Sequence, residues 1–254
     1  MSDGIVARLR APLTVRADLG EVLVPGWASL GPADLANRPV RLDGRSARLG
    51  DLFDVSGQPA GRIRFDGDLR QADCLATGLS EGEVVVEGNV GEDTGLSMSG
   101  GSGVIRGNAG ARAGAAEREA RRGMSGGELV IHGNAGPDAG ARMRRGLIAI
   151  GGRAAANAGA TMIAGTVVIV GAAGPGAGLW SKRGSIVALG NVFVPETYRY
   201  ACTYQPTWLK LALARLRTVY GLSLKPRHLS GFYRRYSGDL ADLGKGEILE
   251  WTAK

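Results

Sequence analysis

The sequence has 254 residues and a formal net charge of +7, with 42 glycines but only two cysteines and two histidines. This length supports one large domain or two small ones, and no apolar run in it is long enough to span a membrane. Cys74 and Cys202 form no CxxC pair, and no cysteine or carboxylate cluster accompanies His132 or His228, so we expect no metal site built by this chain.

The positive charge predicts an anionic partner. Aromatic residues make up 6% of the chain and no nucleic-acid-binding motif is present, so we expect an acidic protein surface or a polyanionic cofactor rather than nucleic acid. The first residues carry neither the basic nor the apolar segment of a secretory signal, which predicts a cytoplasmic protein without a membrane partner.

Residues 1–60 do not repeat and place five prolines between short apolar runs such as Glu21–Val24. This pattern predicts a small, mostly β segment. We interpret it as an N-terminal cap for the repeats that follow, because the first repeat would otherwise expose its strand edge and core.

Residues 61–192 contain a repeat of the form Gly-x-Φ-x-Φ-x-Gly, in which Φ is apolar. It occurs seven times, from Gly61–Gly67 to Gly184–Gly190, and most successive closing glycines are 19 residues apart. One interval of 26 residues holds seven extra residues near Glu117–Gly123, which we interpret as a surface loop. A second series with the same period lies seven residues behind the first: Gly95, Gly114, Gly140, Gly159 and Gly178.

A repeat of about 19 residues is too short for a helix–turn–helix unit and suits short strands joined by tight turns. The sequence therefore predicts a mainly β protein, a right-handed parallel β-helix forming a glycine-rich solenoid of about seven coils. Met98, Met143 and Met162 each lie three residues after a glycine of the second series and are predicted to fill the core. The asparagines that follow closing glycines are predicted to form a structural ladder: Asn89, Asn108, Asn134 and Asn191.

Residues 193–254 form the C-terminal flank. The spacing of the apolar residues predicts a helix over Thr207–Tyr220, with Thr207 as its N-cap. One face of this helix would be apolar, with Leu209, Leu213, Leu216 and Tyr220. We expect the remaining residues to form an extended tail with aromatic anchors.

The outward positions of the last three coils are apolar as well, which is typical of strands buried on both faces. Two covers are compatible with this pattern, the chain's own C-terminal helix or a partner subunit. The candidate partner-binding residues are Leu147, Val168, Val170, Val187 and Leu189.

No catalytic motif is present among the repeats, and the Gly-x-Gly sequences belong to the repeat rather than to nucleotide-binding loops. Basic residues recur before the opening glycines of two coils, with Arg121 and Arg122 in the inserted loop nearby. They predict either a solvated edge or an anion-binding edge formed by Arg142, Arg144, Arg145, Lys182 and Arg183.

Three segments carry a resemblance to a known family. The segment Leu129–Gly146, LVIHGNAGPDAGARMRRG, resembles the C subunit of formylmethanofuran dehydrogenases and of their bacterial relative, the formyltransferase/hydrolase complex. Residues Arg48–Gly57 resemble the segment that precedes the repeats in that family, and Tyr233–Glu247 resembles its C-terminal signature.

The resemblance implies a structural subunit that has no active site and binds no cofactor itself. The implied partners are an amidohydrolase-like subunit, a formyltransferase subunit and a further subunit. The implied complex serves one-carbon metabolism in methylotrophy: it transfers a formyl group from formyl-tetrahydromethanopterin to a methanofuran-type cofactor and releases formate. That cofactor bears a polyglutamate tail, which the predicted basic edge would guide because arginine pairs well with carboxylates.

Two alternatives stay open. The chain also resembles the C subunit of a redox formylmethanofuran dehydrogenase, in which other subunits carry tungsten or molybdenum. The glycine repeat by itself is similar to the β-helix of the glutamate synthase large subunit, which would make this chain a spacer domain.

Overall fold

The computed structural model describes residues 4–253. The N-terminal residues form short elements: a 3-10 helix at Trp27–Ser29, and β1 (Ile5–Leu9), β2 (Ala17–Asp18), α1 (Pro32–Ala36), β3 (Pro39–Leu42), β4 (Arg45–Arg48), α2 (Leu49–Leu52) and β5 (Phe53–Gly57). Strand β1 pairs in parallel with the first strand of the repeats, and β5 pairs antiparallel with the other edge of β1.

Each repeat contributes one strand to a large sheet. In chain order these strands are β6 (Arg62–Asp66), β8 (Glu83–Val86), β9 (Ser102–Ile105), β10 (Ser125–Ile131), β11 (Arg145–Ile150), β12 (Thr166–Ile169) and β13 (Arg183–Ala188), and the short β7 (Ala72–Asp73) lies beside β2. Neighbouring repeats pair in parallel and in register, as Ile148 with Val167 shows. The predicted mainly β architecture is thus confirmed, with a 12-stranded, mostly parallel sheet.

A second parallel ladder runs beside this sheet. It links single residues of successive repeats, from Leu69 through Val90, Ala109, Ala135, Ala154 and Ala173 to Val192. Each repeat therefore contributes to two ladders.

The apolar Φ positions of the repeat motif, which alternate along each strand, form the main core. Ile63, Phe65, Ile148 and Ile150 are fully buried in one continuous apolar cluster. The methionines Met98, Met143 and Met162 are buried in the same cluster, which confirms their predicted place in the core.

Two glycines illustrate why the repeat needs this residue. A Cβ on Gly171 would lie 2.4 Å from the carbonyl oxygen of Gly152 in the preceding repeat. Gly159 has a φ of 66°, in the left-handed region that glycine adopts at little cost. The glycines that close the repeat motif thus allow neighbouring backbones to approach closely. The glycines of the second series allow a turn with left-handed backbone conformation.

The predicted asparagine ladder is present for Asn89, Asn108 and Asn134, whereas Asn191 is separated from them by two repeats that carry Arg153 and Ala172 at the equivalent positions. The side-chain oxygen of Asn89 accepts the backbone N–H of Asn108 at 2.9 Å, and that of Asn108 accepts the N–H of Asn134 at 2.7 Å. Asn134 in turn accepts the N–H of Arg153 at 2.7 Å. These bonds tie successive repeats together, so the asparagines have a structural role.

The C-terminal flank comprises β14 (Arg199–Tyr204), α3 (Thr207–Thr218), α4 (Pro226–Leu229), β15 (Phe232–Gly238) and β16 (Lys245–Thr252). The predicted helix is present, but its N-cap is Pro206 and makes no side-chain capping bond, so the assignment of Thr207 was wrong. The expected extended tail was also wrong. Instead β16 pairs in parallel with β13, and β15 and β14 extend the sheet in antiparallel pairing.

Within residues 4–253, no helix is long and apolar enough to cross a membrane.

Candidate functional site

The outer face of the sheet is covered by the chain's own C-terminal flank. Val168, Val187 and Leu189 are buried in a second apolar cluster, together with Leu209, Leu213 and Leu216 of α3. The assignment of these three residues to a partner interface is therefore corrected: α3 occupies the space that a partner would need. Leu147 and Val170 are half-buried and pack against the same cluster.

This cover extends further than the sequence suggested. Val85 and Val104, which lie in repeats before the last three, are 2% exposed and belong to the same cluster. The C-terminal flank therefore covers most of the length of the sheet.

Polar contacts hold α3 in place. The Arg215 guanidinium donates two hydrogen bonds to the carboxylate of Glu128, at 2.9 and 2.8 Å, and the Tyr220 hydroxyl donates to the same carboxylate. Hydrogen bonding from Arg215 lowers the pKa of Glu128, against the opposing effect of burial. Burial, followed by the hydrogen bond to Glu128, raises the pKa of Tyr220 to about 12.

The predicted basic edge is divided by the structure into separate groups. Arg144 and Arg145 line a recess of about 470 Å³ together with Arg122 of the inserted loop; Ser97, Gly123 and Ser125 complete its wall. Within the described part of the chain, none of these three arginines forms an ion pair with a carboxylate. The recess is therefore an uncompensated cationic site suited to anions.

Arg142 lies elsewhere. Its guanidinium donates to the carbonyl oxygen of Ala120 at 3.1 Å and so fastens the inserted loop. It lines a separate groove of about 640 Å³ that Trp180 also lines. Trp180 is 53% exposed, and its backbone N–H donates to the buried carboxylate of Asp239 at 2.7 Å.

Lys182 and Arg183 are exposed at the start of β13. Arg183 is the register partner of Lys245 on β16. Lys182, Arg183 and Lys245 therefore form a second cationic group, in which Lys245 was not predicted from the sequence. Nothing in the repeat pattern could have identified Lys245, because it follows the last repeat and reaches Arg183 through the C-terminal strand pairing.

The histidines and cysteines do not assemble into a reactive centre. No group of three histidine, cysteine or carboxylate side chains that could hold a metal ion occurs in residues 4–253. Burial lowers the pKa of His132, whose Nε2 lies 2.9 Å from the Arg106 guanidinium. Burial raises the pKa of the Cys74 thiol to about 12, so that this thiol stays protonated at neutral pH.

His228 lies in α4 and is 5% exposed. Its ring packs edge-on against Trp251, with centroids 5.3 Å apart, and its Nδ1 has no hydrogen-bond partner among the described residues. It lines a recess of about 260 Å³ at the N-terminus of α3, beside Lys210 and Thr207. Sequence reasoning did not find this recess, because it depends on how α4 folds back on α3.

Among known proteins, a curated relative matches part of the chain, whereas no protein-family model matches it. The relative is the C subunit of the formyltransferase/hydrolase complex Fhc of Methylorubrum extorquens. It is 34% identical over 85 residues, which are 34% of this chain and 32% of the relative. The aligned stretch thus spans about a third of that relative's length.

A solved structure is similar over nearly the whole chain. It is the X-ray crystal structure of the formyltransferase/hydrolase complex FhcABCD from Methylorubrum extorquens in complex with methylofuran. One chain of that complex superposes on this one with a TM-score of 0.76 and 32% identity, covering 98% of this chain and 100% of that chain.

Proposed function

Because the chain belongs to the family formed by the C subunit of the formyltransferase/hydrolase complex, we propose that it acts as a structural subunit of such a complex without an active site of its own. The observation that best supports this proposal is the likeness to a chain of FhcABCD over 98% of the sequence. A likeness of this extent includes both flanks as well as the glycine repeat.

The proposed lack of an active site is supported by the side chains themselves. Within residues 4–253, neither His132 nor His228 forms a hydrogen bond or ion pair with the carboxylate partner that a histidine base commonly uses; His132 lies beside the Arg106 guanidinium and His228 is buried. Most of the polar contacts that connect the repeats, such as those of Asn108 and Asn134, are between neighbouring coils and serve cohesion.

The proposed architecture is a right-handed parallel β-helix. Two parallel ladders that advance together by one repeat are the arrangement expected when each repeat forms one coil. We propose residues 61–192 as the helix, residues 1–60 as its N-terminal cap and residues 193–254 as its C-terminal cap and lateral cover. Strands β1 and β16 support this division, because they lie against the first and last repeat strands.

The proposed reaction of the assembled complex is transfer of a formyl group from formyl-tetrahydromethanopterin to a methanofuran-type cofactor, followed by release of formate. The partners would be an amidohydrolase-like subunit, a formyltransferase subunit and a further subunit. We also propose a cytoplasmic location. Cys74 and Cys202 are unpaired and therefore need no oxidising compartment.

A tagged pull-down from the native host, followed by intact-mass analysis, tests the proposal. We expect recovery with an amidohydrolase-like subunit and a formyltransferase subunit, without tungsten or molybdenum. Recovery with a tungsten or molybdenum subunit would instead identify the redox dehydrogenase. A lone folded monomer would contradict both assignments and favour a spacer domain.

We further propose that part of the basic edge guides the polyglutamate tail of the cofactor. The recess lined by Arg122, Arg144 and Arg145 supports this, since these arginines form no ion pair within residues 4–253 and arginine binds carboxylates in bidentate geometry. The group of Lys182 and Arg183 would extend the same path along the edge. Arg142, which fastens the inserted loop, would contribute indirectly.

The charge-reversing pair Arg144→Glu and Arg145→Glu tests this role in the assembled complex. We expect a several-fold higher KM for the polyglutamylated cofactor and an unchanged KM for a cofactor without the tail. Equal KM values of wild type and variant for the polyglutamylated cofactor would contradict the proposal that these arginines guide its tail. The tailless cofactor controls for damage to the active sites of the other subunits.

A further inference from the structure

Strand β14 forms one end of the 12-stranded sheet, and its outer edge is open. It pairs antiparallel with β15 on one side, and within residues 4–253 no other strand pairs with it. Its residues from Arg199 to Thr203 are exposed, and Tyr204 is half-buried. The backbone N–H and C=O groups that point away from β15 are therefore available to another strand.

The side chains of β14 do not guard this edge with charge. Edge strands often carry charged side chains that discourage pairing with other chains, as Asp54 does on β5 and as Arg45 and Arg48 do on β4. On β14 the one charged residue is Arg199 at its start, and Tyr200, which follows it, is 59% exposed. An uncharged, aromatic edge of this kind is suited to pairing with a strand of a second chain.

A bulge makes β14 compatible with a copy of itself. The register with β15 shifts between Tyr200 and Cys202, so that Tyr200 and Thr203 lie on one face, with their hydroxyl oxygens 3.0 Å apart. Arg199 and Tyr204 lie together on the opposite face, because their partners on β15 are an even number of residues apart. A two-fold axis at the centre of β14 would therefore pair residues that share a face, Tyr200 of one copy with Thr203 of the other.

Charge and exposed apolar surface both favour this symmetric pairing. The two Arg199 side chains would lie at opposite ends of the pair, roughly 17 Å apart along the strand, which exceeds the screening length of about 8 Å. Leu240, 58% exposed, lies near the start of β14, since its N–H donates to the Thr197 carbonyl oxygen at 3.0 Å. Trp208, 41% exposed, follows the end of the strand. Antiparallel pairing would bring Leu240 of one copy toward Trp208 of the other.

We propose that β14 pairs antiparallel with β14 of a second copy of this chain, about a two-fold axis between Ala201 and Cys202, so that two sheets join into one. Such a contact is closed, because each copy uses the same edge and no free β14 is left for a third copy. The inference goes beyond the proposed function and does not depend on it, since the isolated chain can form the pair. A complex assembled on this chain would then contain two copies of it.

The test is a charge swap at the centre of the pair, measured as the mass of the full-length chain by sedimentation equilibrium. Ala201→Lys and Ala201→Asp each place like charges from the two copies close together, so each variant alone should associate at least tenfold more weakly than wild type. An equal mixture of the two should dimerise again, because opposite charges then meet. Ser46→Lys, on the exposed edge strand β4, is the matched control and should dimerise like wild type. Circular dichroism confirms folding, and a concentration of roughly 100 μM suits a small interface.

Crosslinking of Cys202 provides a second readout. A short bismaleimide should join two copies of a Cys74→Ser variant, in which exposed Cys202 is the remaining cysteine, and should not join two copies of Cys202→Ser. A monomeric wild-type chain would overturn the proposal, as would a dimer that both Ala201 variants leave intact or a mixture of them that stays monomeric. Failure of the chain to recover other subunits in the pull-down would contradict the proposed function while leaving the self-pairing of β14 unaffected.

Discussion

Arg215 of α3 and Glu128 of β10 form a bidentate ion pair, with nitrogen–oxygen distances of 2.9 and 2.8 Å. The two residues are 87 positions apart in the chain, and the pair joins the C-terminal flank to the middle of the repeats. The Tyr220 hydroxyl donates to the same carboxylate, so three side chains fix the position of the helix on the sheet.

Replacement Glu128→Gln should reduce the free energy of unfolding by about 1 kcal/mol, because it removes a charge-assisted bond that is partly exposed to solvent. The matched control Arg70→Gln breaks the exposed local pair with Asp68 and should change stability by less than about 0.5 kcal/mol. Urea denaturation of the isolated variants measures both values. Equal effects would show that the Glu128 pair contributes no more than a surface contact.

The same carboxylate predicts an acid dependence of stability. Its pKa is lowered in the folded chain relative to about 4.3 in the unfolded chain. The pair therefore stabilises the fold fully above about pH 4.3, and this contribution is lost as the pH falls through the lower folded value. Urea midpoints measured between neutral pH and about pH 3 should decline less steeply for Glu128→Gln than for wild type. Parallel curves would contradict the prediction.

Leu213 should contribute far more to stability than its neighbour Leu211. Leu213 is fully buried between α3 and the sheet, so Leu213→Ala should cost roughly 3 kcal/mol through lost burial and a residual cavity. Leu211 is 70% exposed, and Leu211→Ala should cost less than about 0.5 kcal/mol in the isolated chain. Guanidinium denaturation distinguishes them, and similar losses would show that α3 does not cover the sheet as described.

Close packing of the repeats predicts a strong effect of Gly171→Ala. The added methyl group would lie 2.4 Å from the Gly152 carbonyl oxygen, so two neighbouring repeats must move apart at a cost of about 2 kcal/mol or more. At Gly31 the nearest atom, a side-chain oxygen of Asp34, is 3.6 Å away, and Gly31→Ala should be tolerated. Thermal unfolding of the two variants would show a clear difference, whereas equal melting temperatures would argue against close contact between the repeats.

The sequence predicted the repeating part of the fold well, for a physical reason. Alternation with period two determines which residues face the core, and Ile63, Phe65 and Ile150 are buried as expected. The asparagine ladder was equally predictable, since Asn108 and Asn134 occupy the same place in successive repeats. Residue patterns within one repeat are sufficient to predict the structure where each repeat strand pairs with the strands of the neighbouring repeats.

The C-terminal flank was predicted less well, because its position depends on contacts between distant residues. The apolar outer positions at Val168 and Val187 indicated that something covers them, but not whether the cover was this chain or a partner. Their contact with α3 requires knowledge of where the helix folds back. Lys245 and the recess around His228 were missed for the same reason, since both depend on pairings outside the repeat.

A co-expression experiment in which this chain is omitted tests directly whether it is a structural subunit. We expect the remaining subunits then to fail to purify as one complex, and restoring the chain to recover both the assembly and formate release. Formate release by the purified chain alone, or a fully assembled complex in its absence, would contradict the conclusion that it is a structural subunit without an active site.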